Sequence, residues 1–271
     1  MSNSISTASV AGPATRYERR GSAAWIRLTR PERRNAINPE VIDGINAGLD
    51  DALADRVRAV VLTGSEGVFC AGADLKHVLG VLDDLSGVER LLADAGALMR
   101  RIETHPTPVI AAVNGVAIAG GLELVLACDL VVAAESATLA DGHATYGLFP
   151  GAGGSVRLPR IVGATRARHL LFTGRSLTAA EMRELGVVNE VVPLERLEHM
   201  VDTLCERLAR TSAGALTRMK RVVREGLDLP LDAALALELE QCREHLRSAD
   251  VAEGLAAFAA GRRPVFGGED R

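Results

Sequence analysis

The sequence predicts an α/β fold with a helical C-terminal region, and three observations carry the prediction. As far as residue 193, short apolar runs of strand length alternate with stretches of helical spacing. From Leu194 onward only helical runs remain. The composition, 48% hydrophobic but only 3% aromatic, calls for a large core built mainly from Ala, Val, Leu and Ile. With 271 residues the chain is long enough for one large domain or a domain with an appendage, and it can bury most of its apolar surface. It divides into a flexible tail over 1–15, an α/β core over 16–193 and a helical region over 194–271.

Taken in order, "MSNSISTASVAGPAT" is rich in Ser, Ala and Thr and has neither the basic start nor the apolar centre of a secretory leader, so it reads as a tail. "RYERRGSAAWIRLTR" alternates around Gly21-Ser22 as a hairpin does. "PEVIDGINAGLDDAL" has helical spacing, with Asn38 as N-cap and Pro39 at the first helical position. "VRAVVLTG" is a buried strand that runs into the loop "SEGVFCAGADLK". "GVERLLADAGALMRRIETHPTP" is an amphipathic helix closed by two prolines, and "PVIAAVNG" is a second buried strand. A short apolar helix opened by Gly120-Gly121 and the strand "DLVVAAE" follow. The turn "PGAGG" starts the helix "GSVRLPRIVG"; it lacks the Lys-Ser/Thr of a P-loop and the glycine order of a dinucleotide site. "LERLEHMVDTLCERLART", "AGALTRMKRVVREGLDL" and "LDAALALELEQCREHLRS" form the helical region. No fixed-period repeat stands out.

Charge and composition exclude several function classes. A net charge of −4 and a pI near 5.9, with basic residues scattered among acidic ones, argue against nucleic acid as a partner. The most apolar stretch, residues 106–134, is interrupted by Pro108, Asn114, Glu123 and Asp129, so it reads as buried strand and helix and not as a membrane span. Cys70, Cys128, Cys205 and Cys242 show no C-x-x-C pairing and no histidine at ligand spacing. They are expected to be reduced, mostly buried thiols of a cytoplasmic protein without a metal site.

Two segments share a design suited to catalysis. "VFCAGADLK" turns from strand to loop through small residues that expose backbone N–H groups around Ala73, and Gly120-Gly121 opens a helix whose first N–H groups lack intrahelical partners. Two such donors converging on one oxygen make an oxyanion hole. Glu123 lies one turn into that otherwise apolar helix, where burial raises a carboxyl pKa toward useful acid-base values. Read alone, each motif is equally compatible with glycines kept for packing and turns.

Together the segments "RPERRNAIN", "LTGSEGVFCAGADLK", "PVIAAVNGVAIAGGLELVLACDLVVAAE", "GLFPGAGGSVRLPRIVG" and "GLAAFAAGRRPVFGG" resemble the crotonase superfamily, the enoyl-CoA hydratases and isomerases, from about Arg16 to Gly268. The resemblance implies a crotonase-like spiral of repeated ββα units, a C-terminal helical region that packs trimers, often paired into hexamers, and an acyl-CoA thioester as substrate. It also implies that no metal or redox cofactor is needed, coenzyme A entering as part of the substrate. By position it makes Ala73 and Gly120 the oxyanion-hole donors. Ala71, Asp74, Leu75 and Lys76 fall on the wall that receives the CoA arm, and Arg33, Arg34 and Lys76 become phosphate partners.

The resemblance assigns two glutamates to acid-base work in hydratases. The first matches Glu123; the second, in a "PE" pair before the glycine-rich turn, matches His143, because Gly142-His143 stand where Pro-Glu is expected. Glu123 is then expected to activate water for attack at Cβ and His143 to deliver a proton to Cα, with the nearby carboxylate raising the imidazole pKa. Tyr146, three residues on, reads either as a further donor or as packing at the pocket wall. The departure at His143 leaves open an enoyl-CoA isomerase, a CoA-thioester hydrolase and a silent acyl-CoA-binding scaffold beside the hydratase.

Overall fold

The computed structural model describes residues 13–83 and 85–267; most of the expected N-terminal tail, residues 1–12, lies outside the described residues, as do 84 and 268–271. The hairpin pairs β1 (Thr15–Arg20) antiparallel with β2 (Ala23–Leu28) across the turn at Gly21-Ser22. Asn38 caps α1 (Pro39–Ala54) by accepting the Val41 N–H at 3.0 Å. The apolar runs become β3 (Ala59–Thr63), β5 (Val109–Val113) and β7 (Leu130–Ala134), and β3 and β5 are buried throughout. Residues buried on both faces explain why these runs show no alternation.

Three further strands lie where the sequence reads as loop or turn: β4 (Val68–Cys70), β6 (Val116–Ile118) and β8 (Thr138–Ala140). Each has only three residues, too few to show a period of two. β9 (Leu177–Thr178) and β10 (Glu190–Val192) complete the described strands. One sheet has the order β1-β2-β3-β5-β7-β10 and is parallel from β2 onward. The second has the order β4-β6-β8-β9, with β9 antiparallel. The chain therefore visits the sheets alternately: β3 then β4, β5 then β6, β7 then β8. Helices follow each pair: α2 (Leu75–Gly80) with α3 (Leu85–Thr104), α4 (Gly120–Ala127), and α5 (Gly154–Val162) with α6 (Ala164–Thr173). This is the expected spiral of ββα units.

All of α4 is buried. It lies so close to β4 that a Cβ added to Gly121 would sit 2.0 Å from the Cys70 carbonyl oxygen, so only glycine fits. After α7 (Ala179–Glu184) and β10, the chain continues as α8 (Leu197–Ala209), α9 (Ala213–Gly226), α10 (Leu231–His245) and α11 (Ala249–Ala259). α9 is tied to the core: Lys220 Nζ donates to Asp129 Oδ2 at 2.6 Å and to the Ile102 carbonyl at 3.1 Å. α10 buries little besides Gln241. The four thiols are free; Cys70 and Cys205 are buried, whereas Cys242 is exposed on α10.

Candidate active site

The segment after β2 meets the end of β4 through backbone pairing. The Ala71 N–H donates to the Arg34 carbonyl, the Ile37 N–H to the Gly72 carbonyl at 2.7 Å, and the Asp74 N–H to the Ile37 carbonyl at 2.8 Å. Asn35, fully buried with a left-handed backbone at φ 54°, clasps this junction. Its Oδ1 accepts the Arg30 N–H and its Nδ2 donates to the Val68 carbonyl at 2.7 Å. The pairing consumes the groups on either side of Ala73 and leaves its own N–H, on an exposed residue, without a backbone acceptor among the described residues.

Gly120 is the first residue of α4, so its N–H has no partner within the helix. A Cβ built on Gly120 would stand 3.6 Å from the Ala73 nitrogen, and one built on Gly72 would stand 3.3 Å from the Gly120 nitrogen. The two donors named from the sequence are thus neighbours. Ala119, which precedes them, holds φ 53° and ψ −116°, a strained conformation for a residue with a side chain, and its N–H is bound by the Ala140 carbonyl at 3.0 Å. That bond ties the mouth of α4 to the end of β8.

Glu123 lies one turn into α4 and is 3% exposed. Its Oε1 accepts two backbone N–H groups of the glycine-rich turn, Ala152 at 2.9 Å and Gly154 at 2.8 Å. The turn is held in place by Arg157 of α5, which forks onto Glu103 of α3 at 2.6 and 2.9 Å and donates to the Ala152 carbonyl. Glu123 Oε2 is left facing His143, 4.0 Å from its Nε2. Burial pushes the Glu123 carboxyl up from the usual range; the Gly154 N–H, the His143 charge and the Ala152 N–H pull back but do not cancel it.

His143 begins a 3-10 turn at Ala144–Tyr146, just after β8. Its Nδ1 is 3.0 Å from Asp141 Oδ2, and its backbone N–H donates to Asp141 Oδ1 at 3.2 Å. A carboxylate offers only acceptors, so Nδ1 carries the hydrogen and Nε2 is the nitrogen presented to Glu123. Burial acts to lower the imidazole pKa, but the Asp141 hydrogen bond, the Asp141 charge and the Glu123 charge outweigh it and the net shift is upward. The outcome is a row of three polar groups, Glu123, His143 and Asp141, with the Ala73 and Gly120 N–H groups, which have no backbone acceptor outside the regular elements among the described residues, at the start of the helix that carries Glu123.

The remaining expected residues are placed as follows. Arg33, Arg34, Leu75 and Lys76 are exposed and Ala71 is half-buried, around the junction of the β2 segment with β4. Asp74 is turned inward: its Oδ1 caps α2 and its Oδ2 pairs with Arg30 at 2.9 Å, so both carboxylate oxygens are engaged within the protein. Tyr146 is 75% exposed; its backbone N–H donates to the His143 carbonyl at 3.0 Å, closing the 3-10 turn. The sequence reading passed over Asp141 and the Ala152 and Gly154 N–H groups. In "ADGHA" an acidic residue two places before a histidine has the spacing of an Asx turn, which predicts a turn but not a partner for the ring.

The chain has relatives among known proteins. The sequence matches the family described as Enoyl-CoA hydratase/isomerase over residues 18–269. The chain belongs to that family. A mitochondrial enoyl-CoA hydratase domain-containing protein 2 of Bos taurus is 38% identical over 254 residues, covering 91% of this chain and 84% of the relative. A "Probable enoyl-CoA hydratase" of Rhizobium meliloti (strain 1021) is 38% identical over 250 residues, covering 92% and 96%. The crystal structure of an enoyl-CoA hydratase from Bacillus anthracis superposes with a TM-score of 0.88 at 35% identity, covering 94% of this chain and all of that one. The family fold, the crotonase spiral, is therefore the fold of this protein.

Proposed function

We propose that this enzyme adds water across the double bond of a 2-enoyl-CoA thioester. The observation that carries the reading is the 4.0 Å gap between Glu123 Oε2 and His143 Nε2. A water held about 2.8 Å from each side chain bridges a gap of that size. Glu123 takes a proton from this water as its oxygen bonds to Cβ. His143, as imidazolium, gives its Nε2 proton to Cα. The charge that develops on the thioester oxygen is received by the Ala73 and Gly120 N–H groups, which need no reorganisation to meet it. The proton on Glu123 then returns to His143, and the site is reset.

Both steps suit the electrostatics: a buried carboxyl whose pKa is raised is a stronger base once ionised, and an imidazole whose pKa is raised holds its proton to higher pH than a free one. The reaction draws on side chains and backbone donors alone, with no metal or redox cofactor, and coenzyme A enters with the acyl group. Arg33, Arg34 and Lys76 are the candidate cations for its phosphates, and Ala71 and Leu75 line its path. The helical region from Leu194 is the assembly part, for a homotrimer or a pair of trimers. Among the described residues no helix is long and apolar enough to cross a membrane, and a cytoplasmic location is the reading adopted.

The test is the mass of the product formed from crotonyl-CoA. Gain of one water supports hydration. An unchanged mass with a moved double bond, release of free coenzyme A, or tight binding without turnover each replaces it, with isomerisation, thioester hydrolysis and a silent scaffold respectively.

A further inference from the structure

We propose that Asp141 is a positioning residue for the reaction: it holds the hydrogen of His143 on Nδ1 and turns Nε2 toward Glu123, so that the imidazole acts as an anchored acid. The proposal rests on the reading of His143 as proton donor and deepens it. An imidazole has two chemically similar nitrogens and turns about its χ angles; in a site that must deliver a proton from one atom in one direction, something has to choose between them. The structure supplies one group able to choose. Asp141 Oδ2 accepts Nδ1–H at 3.0 Å while Oδ1 accepts the His143 backbone N–H at 3.2 Å, so the carboxylate is fixed against the backbone of the turn it orients.

Its side chain is 2% exposed, and water does not compete for these bonds. The residue before it, Ala140, is pinned by the Ala119 N–H, so the clamp and the oxyanion-hole donor Gly120 share one backbone link. From the other side, a Cβ on Gly154 would lie 3.5 Å from Asp141 Oδ2 and 3.2 Å from Glu123 Oε1. The same glycine therefore lets both carboxylates approach.

The charges that act on the imidazole are Asp141, on its own loop, and Glu123, from α4. Arg157 of α5 is committed to Glu103, and Arg166, Arg168 and His169 of α6, the helix packed on the 3-10 turn, are exposed. An imidazolium flanked by two carboxylates is well supported. Without Asp141 it keeps one distant partner and loses its orientation.

The experiment is an NMR titration of the His143 ring nitrogens in the wild-type protein and in Asp141→Asn, free of substrate, together with kcat against pH for crotonyl-CoA. In the wild type the neutral ring carries its hydrogen on Nδ1. In Asp141→Asn the midpoint falls by about one pH unit or more, and the alkaline limb of kcat moves to lower pH by the same amount, with kcat reduced more than KM is raised. A midpoint and tautomer unchanged by the substitution overturn the proposal. A midpoint that falls while the kcat profile stays fixed supports the anchoring of His143 and overturns its role as acid, which separates the two claims. If Asp141→Asn does not fold, the wild-type titration decides: a hydrogen on Nε2 in the neutral ring, or a midpoint below the free value of about 6.5, overturns the proposal.

Discussion

The two oxygens of Glu123 have different surroundings, and this asymmetry suits the side chain to its proposed task. Oε1 is tied to the Ala152 and Gly154 N–H groups, and Oε2 is turned to the imidazole, where it can take a proton. Glu123→Gln keeps the acceptor for the two N–H groups but cannot take a proton. Turnover should then drop by about 10²- to 10⁴-fold while acyl-CoA binding stays within a few-fold, measured as kcat and as the Kd of a non-reacting acyl-CoA. A near-normal rate removes Glu123 from the mechanism. At this scale the sequence was informative wherever a residue contradicted its surroundings: a carboxylate in "GLELVLACD", a histidine in "ADGHATYG". Asp141 was not legible in the same way. An aspartate after a strand is an ordinary turn former, and only the 3.0 Å bond to Nδ1 distinguishes it from one.

Among the elements, α4 does most to build the candidate site, because its first residue carries one of the two proposed oxyanion donors and its first turn carries Glu123. Its position depends on Gly121, whose missing Cβ admits the Cys70 carbonyl. Gly121→Ala puts a methyl against backbone that has nowhere to go. The expected cost is about 3 kcal/mol, the upper end for overpacking, read as a lowered midpoint in urea unfolding, and the residual folded protein should be poorly active because α4 has shifted. Unchanged stability and activity would show that α4 is not packed as described. The long elements were legible because a period of 3.6 needs length to show, and α1, α3 and the C-terminal helices have it. β4, β6 and β8 were not, because three residues carry no period and the neighbour that makes each one a strand is far away in sequence.

The whole molecule gathers the candidate site at the C-terminal ends of β4, β6 and β8, all in the second of two sheets that the chain feeds alternately, a plan with no fixed repeat in the sequence to announce it. It also leaves apolar surface uncovered on its last helices: Leu231, Leu235 and Leu239 of α10 are 73%, 53% and 49% exposed, and Phe258 of α11 is 87% exposed. Surface of that kind in contiguous patches marks an interface. The mass by light scattering at micromolar concentration should be that of a trimer or hexamer, and a monomeric mass defeats this. The central claim, that an imidazolium and a carboxylate share the acid-base work, is tested most directly by kcat against pH for the wild type, His143→Gln and His143→Glu. In the wild type, activity should fall as pH rises through a midpoint above the free imidazole value of about 6.5, because the proton donor is lost there. His143→Gln should lose most of the rate together with that alkaline limb, and His143→Glu should recover hydration of crotonyl-CoA through a carboxyl pair. A His143→Gln enzyme with the wild-type rate and the wild-type profile would contradict the account.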